Sequence, residues 1–330
     1  MKKINVIQYG LGEIGIACAR IILFRPDLRL VAAVDPDPSL AGRDLADIIG
    51  LDRRLGMTVK ENLSRVDLDL RGGVAIHTAG SRMETVVPQI SELIDRGLNV
   101  VSAAEELLVP GLDRPDLARL LDRRARKRGA TILGTGINPG FLMDYLPLVF
   151  AGIVFSIRRI KVARVVNASR RRRSLQAKIG SGISLAEFNR RRSVGAIGHV
   201  GLRHSVAFLA AGLGWELERI DDRLKPVIAG KNIRTEYFSA PRGSVAGIRE
   251  TAQGIVNGKA AITLELRMEL GADRPGDEIL IEGRPPLRVS IPGGVDGDSA
   301  TTAALVNTIP WVWSASPGLK TMRDLLPRLR

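Results

Sequence analysis

Residues Lys3–Gly15 read K-I-N-V-I-Q-Y-G-L-G-E-I-G, and this stretch decides the fold. Its apolar run predicts a short buried strand, which ends in the pattern G-x-G-x-x-G formed by Gly10, Gly12 and Gly15. Beyond the last glycine, apolar residues recur at helical spacing until Pro26. A strand, a glycine turn and a helix in this order are typical of a dinucleotide-binding βαβ unit.

The glycine turn has the chemistry needed to hold a pyrophosphate. Gly10 permits the sharp turn, Gly12 lets the backbone approach the anion, and Gly15 lets the helix pack closely on the strand. The helix N-terminus offers backbone N–H groups to the phosphates. We therefore expect the cofactor to be bound by the residues of this turn, which are Gly10, Gly12, Glu13, Ile14 and Gly15.

A second apolar run ends in Asp35, about 20 residues beyond Gly15, where this fold places the carboxylate that binds the ribose. A carboxylate there repels a 2′-phosphate, so Asp35 favours NAD over NADP. Arg43 lies close by in the chain and offers a positive charge that would soften this preference. We include both residues among those predicted to bind the cofactor.

Composition sets the class of protein. The chain has 330 residues, of which 45% are hydrophobic and 25% charged, as expected for a globular protein of two domains. No apolar run reaches the ~18 residues of a membrane span, and no signal-peptide pattern follows Met1, so we expect no membrane partner and a cytoplasmic location. Cys18 lies on the apolar stripe of the first predicted helix and is interpreted as a small core residue.

The net charge of +14 comes largely from three arginine-rich runs, 123–128, 170–173 and 190–192. Proteins that bind nucleic acid usually add aromatic platforms or a recognisable module, but aromatic residues make up only 4% of this chain. We therefore expect no nucleic-acid partner. Solvated basic faces, with some attraction for the phosphates of a dinucleotide, are the favoured interpretation.

Three more short apolar runs predict strands at 74–78, 98–101 and 130–133, with helices between them. The predicted fold class is α/β, a Rossmann doubly wound parallel sheet over residues 1–140. Residues that follow parallel strands meet at one edge of the sheet, where ligands bind. There we expect Thr78, Ala79 and Gly80 to lie against the nicotinamide half of the cofactor.

The fifth predicted strand leads into a constrained loop, G-T-G-I-N-P-G-F at 134–141. Asn138 offers a donor and an acceptor to the nicotinamide amide or to the substrate. Turn geometry before Pro139 is an equally good explanation for it. Phe141 is predicted to form a wall of the substrate pocket.

From Ile153 the pattern changes to alternating aliphatic and basic residues, which predicts strands with one wet face. We expect a second α+β open-sheet domain at 141–297 for substrate binding and dimerisation. An apolar helix within the segment 298–330 should return to the first domain. The histidines lack metal-ligand spacing, so no metal is expected. For His199, a place in the substrate pocket and a role at a helix start both remain open.

Several spaced motifs resemble 2,4-diaminopentanoate dehydrogenase and the related native amine dehydrogenases, a family with a dihydrodipicolinate-reductase-like substrate domain. They are Y-G-L-G-E-I-G (9–15), V-V-S-A-A-E-E-L (100–107), G-T-G-I-N-P-G-F-L-M-D (134–144), G-H-V-G-L (198–202), I-P-G-G-V-D-G-D-S-A-T (291–301) and P-G-L-K-T-M-R-D-L (317–325). The resemblance implies a homodimer that reversibly deaminates an amine or diamino acid to a ketone and ammonia with NAD or NADP.

In the resembling family one glutamate of the E-E pair carries the acid–base chemistry. Glu105 is our choice because it comes first after the fourth predicted strand, whereas Glu106 suits a helix start. Charge at a helix N-terminus is the alternative for Glu105 as well. The substrate stays open among 2,4-diaminopentanoate, another amino acid and a simple amine.

Three other functions make different predictions for the sequence or for its behaviour. A dihydrodipicolinate-reductase-like enzyme should show paired histidines with a lysine nearby, and a homoserine-dehydrogenase-like enzyme should show Asn-Lys where this chain has Ala104 and Glu105. A non-catalytic NAD-binding sensor would bind the cofactor without turnover. The carboxylates at the strand ends favour the enzyme.

Overall fold

The computed structural model describes residues 3–325 and divides the chain into two compact units. The first unit runs to Phe141 and also takes in the segment that begins at Gly297, while the second unit spans Leu142–Asp296. Phe141 and Gly297, which the sequence analysis placed in the second domain, thus belong to the first unit. Residues 326–330, the end of the expected C-terminal segment, lie outside the described residues.

The first unit is built on a parallel sheet. Among the described residues its six strands are β1 (Ile4–Tyr9), β2 (Leu28–Val34), β3 (Val74–His77), β4 (Asn99–Ser102), β5 (Thr131–Gly134) and β14 (Gly318–Lys320). They lie in the order β14-β5-β4-β3-β1-β2, and every neighbouring pair is parallel. The chain therefore reverses its direction of winding between β1 and β3, and ligands bind at such switch points.

Helices cover this sheet. They are α1 (Glu13–Phe24), α2 (Leu45–Ile49), α3 (Met83–Asp95), α4 (Pro115–Arg128), α9 (Gly297–Asn307) and α10 (Ile309–Ser314), with 3-10 turns at Leu63–Arg65, Glu105–Leu108 and Met322–Leu325. The apolar stripe of α3, including Val86, Ile90 and Leu93, is buried in the core. Helix α9 packs against α1 within the same unit. The predicted Rossmann-type parallel sheet is confirmed.

The second unit is built on a mixed sheet. Its strands are β6 (Phe155–Asn167), β7 (Arg219–Ile228), β10 (Val245–Val256), β11 (Lys259–Glu269), β12 (Gly276–Arg284) and β13 (Leu287–Pro292), and a small separate ribbon joins β8 (Ile233–Arg234) to β9 (Ser239–Ala240). The main sheet has the order β13-β12-β6-β11-β10-β7, in which β6 and β11 are parallel and the other pairs antiparallel. This is the predicted α+β open sheet.

The helices of the second unit are α5 (Tyr145–Ala151), α6 (Arg173–Lys178), α7 (Leu185–Ser193) and α8 (Leu202–Leu213), with a 3-10 turn at Ala168–Arg170. Helix α8 packs on β10 and β11 and buries Val206 and Phe208. Along β6, Ile160 and Val162 are buried while Lys161 between them is partly exposed. This alternation is the period-two pattern of a sheet with one apolar face.

Candidate functional site

The glycine turn lies at the switch point of the parallel sheet. Gly10 follows β1 with φ of +92°, a conformation that side chains rarely adopt, which explains the glycine. Gly15 lies on the first turn of α1, where a Cβ atom would come within 2.0 Å of the Gly10 carbonyl oxygen. The helix can approach the strand this closely because Gly15 has no side chain.

Gly12 differs from these two glycines because it faces open space. It is the N-cap of α1, and a Cβ atom built on it would meet nothing within 4 Å. Glu13 and Ile14 begin the helix, whose first turn has N–H groups without intrahelical partners. Open space before a helix N-terminus fits an anion such as a pyrophosphate.

Asp35 follows β2 at the same edge of the sheet. Its carboxylate accepts hydrogen bonds from the backbone N–H of Leu11 at 2.6 Å and of Asp37 at 2.9 Å. Each carboxylate oxygen retains acceptor capacity, so a ribose hydroxyl can still donate to it. The side chain of Arg43 is exposed, and its guanidinium donates to the carbonyl oxygen of Ser39 at 3.4 Å.

Thr78, Ala79 and Gly80 follow β3 and are partly buried. The Thr78 hydroxyl donates to the carbonyl oxygen of Gly10 at 2.9 Å. Ala79 packs against the core of the unit, and a Cβ on Gly80 would come within 2.9 Å of a Val86 methyl group. The structure thus joins the segment after β3 to the glycine turn.

Gln8 belongs to this arrangement, although the sequence analysis did not select it. It is fully buried near the end of β1, and its amide nitrogen donates to the Gly10 carbonyl at 2.8 Å and to the Thr78 hydroxyl at 3.0 Å. The signal that could have found it is a polar amide in the apolar run I-N-V-I-Q-Y.

The two glutamates of the E-E pair have different environments. Glu105 begins the 3-10 turn that follows β4 and is partly exposed. Glu106 is buried, and its carboxylate accepts a hydrogen bond from the backbone N–H of Met83, the first residue of α3. Burial raises the pKa of the Glu106 carboxyl, and the Met83 N–H opposes this rise.

A buried polar chain supports the turn that carries Glu105. The His77 ring lies 2.8 Å from the Gln89 amide oxygen through Nε2 and 2.9 Å from the Ser102 hydroxyl through Nδ1. Because the Gln89 oxygen is an acceptor, Nε2 carries the hydrogen and the Ser102 hydroxyl donates to Nδ1. Ser102 also accepts from the N–H of Ala104 at 3.1 Å. Burial lowers the pKa of His77 to about 4, so the ring is neutral at physiological pH.

Asn138 lies in the loop after β5, before Pro139. Its side-chain oxygen Oδ1 is buried and has no hydrogen-bond partner in the structure, as is also true of the Thr135 hydroxyl in the same loop. Phe141 ends this loop and is partly exposed. Unsatisfied buried polar atoms need a partner, and a ligand amide is one group that could supply it.

Taken together, the described residues fit a dinucleotide. The open space at Gly12, the helix N-terminus of α1, the Asp35 carboxylate and the Asn138 oxygen all lie at the carboxyl ends of the strands of one parallel sheet. This is the edge at which such sheets bind nucleotides.

His199 lies in the second unit, in the segment before α8. Its backbone N–H donates to the Glu250 carboxylate at 3.2 Å, and its Nδ1 accepts from the N–H of Gly201 at 3.2 Å. The ring therefore contacts the backbone of Gly201, the N-cap residue of α8.

Residues 3–325 contain neither a metal-binding cluster nor a membrane-spanning helix. No group of three or more His, Cys, Asp or Glu side chains in this range is arranged to hold a metal ion. No helix in the same range combines the length and apolar character that crossing a bilayer requires.

Comparison with known proteins identifies relatives over both units. The family model of the 2,4-diaminopentanoate dehydrogenase C-terminal domain matches residues 141–328. A 2,4-diaminopentanoate dehydrogenase of Acetoanaerobium sticklandii is 31% identical over 337 residues, covering 99% of this chain and 95% of the relative. An amine dehydrogenase of Streptomyces virginiae is 25% identical, covering 98% of this chain and 96% of the relative.

A solved structure agrees with these sequence comparisons. The structure of an amine dehydrogenase from Mycobacterium smegmatis superposes with a TM-score of 0.87 at 26% sequence identity. The match covers 99% of this chain and 97% of that chain. The similarity therefore extends over the parallel-sheet unit and the mixed-sheet unit alike.

Proposed function

This chain belongs to the 2,4-diaminopentanoate dehydrogenase family, and we propose that it is an NAD-dependent amine dehydrogenase. It is an oxidoreductase acting on CH–NH2 groups, which converts an amine or diamino acid reversibly to a ketone and ammonia. The observation that carries this proposal is the similarity to dehydrogenases of amines over 99% of this chain. The glycine turn formed by Gly10, Gly12 and Gly15 is consistent with it, because it leaves open space at Gly12 for the cofactor.

The residues at the sheet edge would hold the cofactor. The N-terminus of α1 with Gly12 would bind the pyrophosphate, Asp35 the adenosine ribose, and the Asn138 amide the nicotinamide amide. Asp35 supports NAD as the preferred form, with Arg43 as the residue that would moderate the preference. When bound, the nicotinamide supplies the hydride acceptor for amine oxidation.

Glu105 is the proposed acid–base residue. Amine oxidation needs a neutral nitrogen, so a carboxylate must accept a proton from the substrate ammonium, and hydrolysis of the resulting iminium needs protons steered to and from water. Support for Glu105 comes from its place in the turn directly after β4, partly exposed, beside a Glu106 whose carboxylate is already bonded to Met83.

We propose Phe141 in the first unit and His199 in the second as substrate-contacting residues, each on its own grounds. We further propose a homodimer, as the family resemblance implies, and a cytoplasmic location. The mixed sheet of the second unit offers a polar surface for dimer contacts, which includes Arg223, Arg249 and Thr251 on neighbouring strands. Sizing chromatography with light scattering tests the dimer, and a monomer at micromolar concentration would contradict it.

The deciding experiment is a screen of NADH and NADPH oxidation with ammonia across keto acids, amino ketones and simple ketones. Oxidation that requires both ammonia and the ketone supports the proposal. Reduction of ketones without ammonia would indicate a different dehydrogenase. Binding of NADH with no turnover of any ketone or amine would indicate a sensor.

A further inference from the structure

We propose that Gln8 is a positioning residue for the cofactor turn, and that it acts together with Thr78 by holding the carbonyl group of Gly10. The inference rests on the proposed function, in which the first unit binds a dinucleotide. It adds a residue that neither the glycine pattern nor the ribose-binding carboxylate includes.

Gln8 occupies an unusual environment for a polar residue. Its side chain has no solvent exposure, its neighbours in β1 are apolar, and its oxygen Oε1 has no hydrogen-bond partner. Burying an amide oxygen without a partner costs stability. The two bonds made by its nitrogen, to the Gly10 carbonyl and to the Thr78 hydroxyl, are the contacts that can offset this cost.

The hydrogen-bond chemistry fixes the orientation of the amide. The Gly10 carbonyl is an acceptor only, so the Gln8 group 2.8 Å from it must be the NH2 and not the oxygen. The other Gln8 hydrogen goes to the Thr78 hydroxyl, which in turn donates to the Gly10 carbonyl at 2.9 Å. Two donors therefore converge on a single carbonyl oxygen.

That carbonyl belongs to the peptide plane shared with the N–H of Leu11, which Asp35 holds from the other side at 2.6 Å. Because the peptide unit is planar, fixing both its oxygen and its N–H fixes the direction of the chain entering Gly12 and α1. The hydrogen bonds made by Gln8, Thr78 and Asp35 thus orient the backbone N–H groups at the start of α1, which would face the pyrophosphate.

The cluster is also tightly packed. A Cβ atom on Gly15 would come within 2.0 Å of the Gly10 oxygen, 2.8 Å of the Thr78 hydroxyl and 2.9 Å of the Gln8 nitrogen. A displaced Gly10 carbonyl would therefore press against the first turn of α1. The N–H groups at the start of this helix, which would bind the anion, would shift as a result.

Isothermal titration with NADH tests the proposal on Gln8→Met, which keeps the length of the side chain and removes its donors. Gln176→Met is the matched control, since Gln176 is also fully buried and bonds to backbone carbonyls, at Arg171 in the second unit. We expect NADH binding to weaken about 10-fold in Gln8→Met, the scale of one lost hydrogen bond, and to stay within about twofold in Gln176→Met.

Thr78 provides a second pair should Gln8→Met fail to fold. Thr78→Val removes the hydroxyl at nearly constant shape and should weaken NADH binding about 10-fold, whereas Thr78→Ser keeps the hydroxyl and should bind NADH more tightly than Thr78→Val does. In the double variant of Gln8→Met and Thr78→Val, the fold loss of NADH affinity should be smaller than the product of the two single losses. Both donors bond to the same Gly10 carbonyl oxygen, so their effects are not independent.

The outcomes separate this inference from the proposed function. If the parent binds NADH while Gln8→Met binds it as tightly as Gln176→Met does, and Thr78→Val as tightly as Thr78→Ser, the positioning role is wrong. If the parent does not bind NADH at all, the proposed function fails and the inference fails with it.

Discussion

The carboxylate of Glu106 accepts a hydrogen bond from the backbone N–H of Met83 at 2.7 Å. Met83 begins α3, whose N-cap residue Arg82 makes no side-chain cap, so Glu106 supplies the missing acceptor from a distant turn. The backbone N–H of Glu106 also donates to the Ser81 carbonyl at 3.2 Å. Glu106 therefore ties the turn after β4 to the loop after β3.

We predict that Glu105→Gln loses most amine dehydrogenase activity, about 10²- to 10⁴-fold in turnover, while keeping its fold and NADH binding. Glu106→Gln should stay within a few-fold of the parent, because its amide oxygen can still accept from Met83. Steady-state kinetics on the amine or ketone found by the screen measures both variants.

Glu106→Leu is the control for the structural role. It removes the acceptor for the Met83 N–H and should lower the free energy of unfolding by about 1–2 kcal/mol. If Glu106→Gln is the inactive variant and Glu105→Gln the active one, the roles within the pair are reversed. If both are active, the carboxylate mechanism is wrong.

Replacing Gly12 should abolish NADH binding, whereas replacing Gly15 should destabilise the fold. Gly12→Val adds a side chain into open space and should fold normally yet abolish NADH binding, because the methyl groups occupy the anion site. Gly15→Ala places a methyl group 2.0 Å from the Gly10 oxygen and should destabilise the fold itself. Thermal unfolding and NADH titration together separate the two, and a Gly12→Val protein that still binds NADH would refute this placement of the pyrophosphate.

Much of the first unit could be predicted from the sequence, because its short buried strands are apolar runs that end at glycines or small residues. The second unit was harder. Strand β7 reads R-I-D-D-R-L-K-P-V-I, and its charges and Pro226 match no simple alternation, so no strand was predicted there. It is an edge strand, where charges and proline are tolerated.

Other differences between the expected and the observed structure also have causes in particular residues. The segment 298–330, where one apolar helix was expected, begins with two helices, since Thr308 follows the end of the first and Pro310 lies in the first turn of the second. The role of Glu106 could not be predicted, because its partner Met83 lies 23 residues away in the chain. Such contacts depend on how β3 and β4 pair, which periodicity alone does not reveal.

Asp35 is predicted to set the preference between NAD and NADP. Asp35→Ser should shift the ratio of the two affinities toward NADP by about 10-fold or more, since it removes the charge that repels a 2′-phosphate. It also removes the acceptor for Leu11, so NAD affinity should fall as well. Asp35→Asn keeps an acceptor and removes only the charge, and it isolates the electrostatic effect. Equal affinity for both cofactors in the parent, unchanged by either variant, would show that Asp35 does not bind the ribose.

His77 should make the stability of the protein sensitive to acid. Burial lowers its pKa in the folded protein to about 4 from an ordinary value of 6.5, so the folded state holds the neutral ring. Below pH of about 6.5 the unfolded chain takes up a proton that the folded chain does not, and stability is therefore lost as the pH falls toward 4. One group contributes about 1.4 kcal/mol per pH unit over this window, or about 3 kcal/mol in all. Urea unfolding of the parent and of His77→Gln across this range measures the difference in slope. Parallel pH profiles would show that His77 is not the group responsible.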